Sequence, residues 1–303
     1  MKIEVIVNAN SGTGENSALE QRLTELFGGD GRVAHVTLTQ SGDEISELAK
    51  RAALSDADVV VAGGGDGTIN SVTSQLLNTK KVLGVLPLGT MNHFAKDLDI
   101  PLGLDDAVAN IIAGHVASVD LGEVNGRIFV NNSSLGLYPS IVREREKKQR
   151  LGSGKWPAFV WAAVAVLRRY PFLDIRLDVE GKALSSRTPF VFIGNNEYEM
   201  ETLNIGGRTC LDAGELSLYV TNRTGRLGLV RLALRALFGG LRQEKDFLAM
   251  CTKEVWIETK HKRVRVALDG EVTIMEPPLH YRVLPGKLQV LTPATSQATQ
   301  QEK

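Results

Sequence analysis

Cysteine is scarce, and the two that occur, Cys210 and Cys251, have neither metal-ligand nor redox spacing around them. That excludes a disulfide framework and a thiolate zinc site, and it fits a reducing compartment. Net charge is missing as well. Lys plus Arg and Asp plus Glu number 35 each, so no overall basic field argues for nucleic acid. Long apolar runs are lacking too: the longest, residues 156–167, is about 12 residues against the ~20 that a spanning helix needs. The first residues carry no cationic stretch followed by an apolar run, so no signal peptide is expected. The expectation is a cytoplasmic protein whose membrane contact is peripheral at most. What is present is ordinary globular material, 303 residues with 43% hydrophobic and 23% charged side chains, enough for two domains of roughly 100–200 residues each.

The first 120 or so residues alternate strand-like and helix-like patterns. Residues 3–7 form a β-branched run, followed by a polar, glycine-containing stretch and helical spacing over 19–27. A second strand over 33–38 leads to Ser41-Gly-Asp-Glu, with Ser41 or Asp43 as N-cap of a helix reaching Ala53. Residues 59–62 run straight into Gly63, Gly64 and Gly65, and Ile69, Val72 and Leu76 then mark a helix beginning near Thr68. A strand over 82–86 ends at Pro87, and helical patterns cover 92–98 and 104–112. This alternation predicts a Rossmann-like α/β domain, a parallel sheet with helices on both faces and function at the carboxyl ends of its strands.

After Val119 the pattern changes to short β-type segments at 127–131, 173–179, 189–194, 216–221, 254–259, 263–268 and 289–291, interrupted by helical stretches over 155–170 and 227–241. A mainly antiparallel β-sandwich is expected. The predicted division is an α/β domain over 1–122, a sandwich domain over 123–293 and a polar tail over 294–303.

Two loops carry the chemistry. In Gly64-Gly65-Asp66-Gly67-Thr68 a buried strand ends and a helix begins. Glycines there let backbone N–H groups approach phosphate oxygens, and the helix N-terminus adds favourable partial charge. Asp66 could hold Mg²⁺ against phosphate, take a proton from an attacking hydroxyl, or merely cap its helix. The second loop, Pro87-Leu88-Gly89-Thr90-Met91-Asn92, is another strand–turn–helix unit and places Thr90 and Asn92 beside the first. Late in the chain Leu268-Asp269-Gly270-Glu271 ends an alternating strand, and read locally it is a hairpin turn.

Together these strings resemble the diacylglycerol kinase catalytic-domain family, shared with sphingosine and ceramide kinases. Gly64-Gly65-Asp66-Gly67-Thr68 looks like its signature, and Pro87–Lys96 is similar to its second motif, Pro-x-Gly-Thr-x-Asn-Asp-x-Ala-Arg. Asn8-Ala-Asn-Ser-Gly resembles the family's Asn-Pro-x-Ser-Gly, with Ala9 in place of proline. Asp120-Leu-Gly-Glu with Phe129-Val-Asn-Asn resembles the junction between domains. The resemblance implies ATP and Mg²⁺ as cofactors and a lipid hydroxyl as acceptor, most simply diacylglycerol, giving phosphatidic acid.

By that resemblance the nucleotide contacts are Asn8, Ser11, Gly12, Thr39, Gly64, Gly65, Gly67, Thr68, Gly89, Thr90 and Asn92. The metal-linked carboxylates are Asp66, Asp97 and Asp120. The proton falls to Asp66 or to Glu271, with Asp269 in support. Two departures stand out. His93 replaces the usual aspartate of the second motif, leaving Asp97 one helical turn later as its substitute. Leu211-Asp212-Ala213 replaces Asp-Asp-Gly, which puts a structural second metal in doubt.

The implied partners are ATP and a membrane-derived lipid, with self-association as a homodimer left open and no nucleic acid. Apolar stretches edged with arginine, 227–238 and 156–169, are candidate interfacial helices, or else helices packed on the sandwich with Arg in water. A sphingosine- or ceramide-type kinase is one alternative. A nucleotide- or lipid-binding regulatory protein, for which His93 speaks, is another.

Overall fold

In the computed structural model the described residues are 1–11, 16–29, 31–136, 172–198, 208, 210–221 and 247–294. The chain divides into two compact units, one of Met1–Leu121 with Cys210–Asp212 and Pro285–Lys303, the other of Gly122–Thr209 with Ala213–Leu284.

The first unit begins with β1 (Lys2–Asn8), a 3₁₀ turn at Ala9–Ser11, α1 (Asn16–Phe27) and β2 (Val33–Thr39). It continues through α2 (Gly42–Leu54), β3 (Val59–Gly64), α3 (Asp66–Leu76), β4 (Val82–Pro87), α4 (His93–Asp97) and α5 (Leu104–Ala113). The strands lie in the order β2-β1-β3-β4 and pair in parallel. Every residue of β3 is buried, which explains its unbroken apolar run, since a strand covered on both faces has no polar side to alternate with. Helix α2 instead buries Ile45, Ala49 and Ala52, a stripe at helical spacing. The side chain of Ser41 accepts from Glu44 N at 3.4 Å and caps it. Leu23 and Phe27 of α1 and Val108 and Ile111 of α5 pack with Val5, Val7 and Val61 of the sheet into one core.

In the second unit β7 (Asn132–Gly136), β10 (Phe190–Asn195), β11 (Leu216–Thr221), β12 (Phe247–Thr252), β14 (Val264–Leu268) and β15 (Glu271–Met275) form an antiparallel sheet in the order β12-β11-β10-β7-β14-β15. A second antiparallel layer joins β8 (Leu173–Val179), β9 (Lys182–Thr188), β13 (Glu254–Thr259) and the start of β16 (Leu279–Leu291). Side chains of both sheets meet in one core, among them Leu135, Val191 and Val266 against Ile175, Val255 and Tyr281. This is sandwich packing. Burial pushes the Tyr281 hydroxyl well above its usual pKa, and Ser133 Oγ shares a 3.0 Å hydrogen bond with it.

The far end of β16 pairs in parallel with β4 at Val290 and Leu83. Strands β5 (Val116–Val124) and β6 (Arg127–Phe129) pair antiparallel where the chain first passes from one unit to the other. Among the described residues no helix is long and apolar enough to cross a membrane. The arginine-edged stretches 156–169 and 227–238 and the polar tail beyond residue 294 lie outside the described residues.

Candidate active site

Strand order places the site. From β1 the chain runs outward to β2 on one side and to β3 and β4 on the other. The crevice at the carboxyl ends of β1 and β3 is therefore the point at which connections part, where open α/β sheets bind ligands. Asn8 and Gly64 end these two strands, with Thr39 and Pro87 ending their neighbours.

The glycine run is not one long turn. Gly63 and Gly64 remain in β3, opposite Leu86 and Pro87, and α3 starts at Asp66 rather than near Thr68. Gly65 alone makes the turn, as the N-cap residue, with no side chain capping the helix. A Cβ on Gly64 would fall 2.6 Å from the Thr68 Cβ, so this glycine allows helix and strand to close together. Thr68 is buried and its hydroxyl accepts from Asn8 Nδ2 at 3.3 Å, while Asn8 Oδ1 accepts from Asn10 N at 3.0 Å.

The two loops are packed backbone against backbone. Leu88 N donates to Gly64 O at 3.1 Å. A Cβ on Gly89 would lie 3.1 Å from Gly65 N and nearer still to Gly65 Cα. Asp66 ties them again: its Oδ2 accepts from His93 N at 3.2 Å and its Oδ1 from Phe94 N at 3.0 Å. This carboxylate caps α4, the helix of the other loop, rather than its own helix. Asn92, buried at a left-handed φ of 51°, donates through Nδ2 to Pro87 O at 3.1 Å and Gly89 O at 2.8 Å, which fixes the turn. Its Oδ1 is buried without a hydrogen-bond partner. What the cradle presents outward is Gly65, Asp66 and Gly67 half-buried, with Thr90 and His93 exposed.

Thr39 is buried, with its hydroxyl bonded to Glu44 and accepting from Ser41 N at 3.1 Å. Ser11 closes the 3₁₀ turn, and Gly12 lies outside the described residues. Asp97 ends α4. Asp120 is buried in β5, where its Oδ1 accepts from Gly286 N and its own N–H donates to Leu211 O, both at 2.8 Å. Among the described residues no group of three His, Cys, Asp or Glu side chains is arranged to hold a metal, so Asp66, Asp97 and Asp120 do not form a ready-made ligand set. An ion that keeps several of its waters and needs only one or two carboxylates, as magnesium does, would be compatible with these separated side chains.

In the second unit Asp269 and Gly270, at φ of 46° and 89°, form the two-residue turn of the β14–β15 hairpin, the geometry that Asp-Gly favours. The Asp269 carboxylate is engaged by backbone amides. It accepts from Val130 N, Asn131 N and Asn132 N at 2.8, 2.8 and 3.0 Å. Glu271 begins β15 and is exposed. Sequence reasoning passed over Arg208, buried and bonded to Val130 O at 2.7 Å and to Asn131 Oδ1 at 3.0 Å. A lone arginine in a polar stretch gives no signal of this.

Removing the Asp66 carboxylate has a defined consequence. Asp66→Ala leaves the first two amides of α4 without their acceptor, a loss of about 1–2 kcal/mol by analogy with other caps. The expected result is a thermal midpoint lower by a few degrees in a melting experiment.

A parallel sheet with a glycine cradle at its switch point, followed in the chain by a β-sandwich, is the architecture of a two-domain kinase class. Residues 2–124 match the model of the diacylglycerol kinase catalytic domain, and residues 136–292 match that of the YegS C-terminal NAD kinase beta sandwich-like domain. The chain belongs to the diacylglycerol kinase catalytic-domain family of lipid kinases. It is 25% identical to a diacylglycerol kinase of Bacillus subtilis over 279 residues, covering 91% of each chain. It is 28% identical to the Salmonella gallinarum protein named "Probable lipid kinase YegS" over 299 residues, covering 94% of each. The crystal structure of a diacylglycerol kinase from Bacillus anthracis shares the fold at a TM-score of 0.70 and 21% identity, over 97% of this chain and 98% of that one.

Proposed function

We propose that this chain transfers the γ-phosphoryl group of Mg·ATP to the hydroxyl of a membrane-derived lipid, with diacylglycerol as the acceptor and phosphatidic acid as the product. The observation that carries the reading is the pair of glycine loops closed on each other at the switch point, with Gly65 at an uncapped helix N-terminus. Backbone N–H groups and a helix dipole suit phosphate, and phosphoryl transfer needs placement and charge stabilisation more than covalent help. Gly65, Gly67 and Thr90 are the nucleotide contacts in this reading. Gly64, Thr68, Gly89 and Asn92 shape the cradle behind them.

In the step itself the lipid hydroxyl oxygen bonds to the γ-phosphorus, the bond to the β-phosphate oxygen breaks, ADP leaves, and the hydroxyl proton passes to a carboxylate. Glu271 is the better candidate for that carboxylate. Both oxygens of Asp66 accept backbone amides, and a proton on either would weaken the cap of α4.

The test is transfer of labelled γ-phosphate from Mg·ATP to diacylglycerol, monoacylglycerol, sphingosine, ceramide and polyprenol in mixed micelles. Label in diacylglycerol is the expected result, and label confined to sphingosine or ceramide would replace the acceptor. ATP binding with no label in any acceptor would overturn the kinase reading in favour of a regulatory one.

A further inference from the structure

A single peptide group in the second unit is held between two charges. The peptide joining Val130 to Asn131 points its N–H at Asp269 Oδ1, 2.8 Å away, and its carbonyl at Arg208 Nη1, 2.7 Å away. Asn195 Nδ2 adds a second donor to that carbonyl at 3.0 Å. The next peptide repeats the orientation, with Asn132 N on Asp269 at 3.0 Å and Asn131 O accepting from Asn195 N at 2.9 Å. Asp269 N in turn donates to Asn132 O at 2.9 Å. Carboxylate and guanidinium therefore act on each other through polarised peptide dipoles, an arrangement that strengthens each bond in a low-dielectric interior. Arg208 is 7% exposed, and its second arm, Nη2, reaches Asn131 Oδ1 at 3.0 Å. A buried charge is tolerated only where such partners are in place, so the geometry of residues 130–132 is strongly constrained.

The hairpin that carries Glu271 hangs on this segment. Its turn residue Asp269 is bolted to three consecutive amides, and Glu271 follows two residues later at the start of β15. We infer that Arg208 is a positioning residue for the phosphoryl-transfer step: by holding the Val130–Asn132 segment from its carbonyl side, it fixes the Asp269 turn and with it the Glu271 carboxylate. The inference rests on the reading of Glu271 as proton acceptor. Lysine cannot replace Arg208 here, because one ammonium does not reproduce the two-armed reach of the guanidinium.

The experiment compares Arg208→Met, Arg208→Lys, Glu271→Gln and the Arg208→Lys/Glu271→Gln pair in the full chain, with Mg·ATP and diacylglycerol micelles. Arg208→Lys keeps the buried charge and serves if the methionine variant fails to fold. Turnover in either arginine variant is expected to fall about 100-fold, the scale of a catalytic group displaced by about 1 Å, with KM for ATP unchanged. In the Glu271→Gln background the arginine change is expected to cost nothing further. Amide exchange is expected to rise about tenfold or more at Val130, Asn131, Asn132 and Asp269. An equal loss in both backgrounds, or faster exchange at those amides with unchanged turnover, overturns the inference while leaving Glu271 in place. Full turnover in Glu271→Gln alone overturns the proton-acceptor reading, and the positioning role falls with it.

Discussion

Alanine at Gly89 is expected to abolish ATP binding and to lower the stability of the first unit, whereas alanine at Gly65 should leave stability nearly intact. The two glycines face each other, yet a methyl group meets different things from each side. On Gly89 it lies 2.8 Å from Asn92 Oδ1 and 3.1 Å from Gly65 N, and closest to Gly65 Cα. The obstacle is backbone at the end of a buried strand, which has no rotamer by which to withdraw. Overpacking of this kind costs on the order of 3 kcal/mol. It also forces apart the loops that Leu88 N and Asp66 hold together. On Gly65 the methyl would sit 3.5 Å from Gly89 Cα, an ordinary contact, and the φ of −88° suits any residue. Gly65→Ala is then a test of ligand approach alone, since its Cβ stands at the helix N-terminus where phosphate would rest. Urea unfolding and calorimetric titration with Mg·ATP separate the cases. Gly89→Ala should lose both stability and binding, and Gly65→Ala should lose binding with a stability change within about 1 kcal/mol. Equal stability losses in the two variants would refute the packing role of Gly89.

The parallel half of the fold was legible because its signals are local. Each strand–glycine–helix unit is written within a dozen residues, and Ser41 caps the helix it precedes. The sandwich was legible wherever one face of a strand is wet, as in β8, where Asp174, Arg176 and Asp178 alternate with buried Ile175, Leu177 and Val179. Strand β9 was not, since six of its seven residues are exposed or half-buried and pairing with β8 alone defines it. The return of β16 to the first unit was equally hidden, because one 13-residue strand pairs with β13 at its start and with β4 at its far end.

At the site, residue types could be read from the sequence and partners could not. Asp66 was recognisable as important, but its amide donors lie 27 and 28 positions away, and only the packing of the two loops makes it a cap for α4. Asp120 was grouped with Asp66 by resemblance, whereas its side chain is engaged by Gly286, 166 positions on. Asp269 was read as both hairpin turn and helper of Glu271. The turn is correct, and its carboxylate goes to backbone 137–139 positions earlier. Carboxylates that look catalytic in a linear motif are often bonded to distant amides, because a buried amide left unpaired costs about 1–3 kcal/mol.

Glu271→Gln is expected to reduce turnover by about 10²–10⁴-fold, the range for removing a general base, while leaving KM for ATP and the melting temperature unchanged. The substitution keeps the length and shape of the side chain at an exposed position, so surface stability changes should stay within about 0.5 kcal/mol. In the proposed mechanism it removes the capacity to take the hydroxyl proton as the new phosphorus–oxygen bond forms. Such an interaction exists only in the transition state, so its loss appears in kcat rather than in KM. Asp269→Asn supplies the contrast. One carboxylate oxygen there accepts two amides and the other a third, and an asparagine must turn its NH₂ group towards at least one N–H donor. That variant should melt earlier and lose turnover through disorder of the hairpin. Glu271→Gln should melt with the parent and fail only in transfer. A Glu271→Gln enzyme with parental turnover would return the proton to Asp66, whose hydrogen bonds from His93 N and Phe94 N would weaken while it is held.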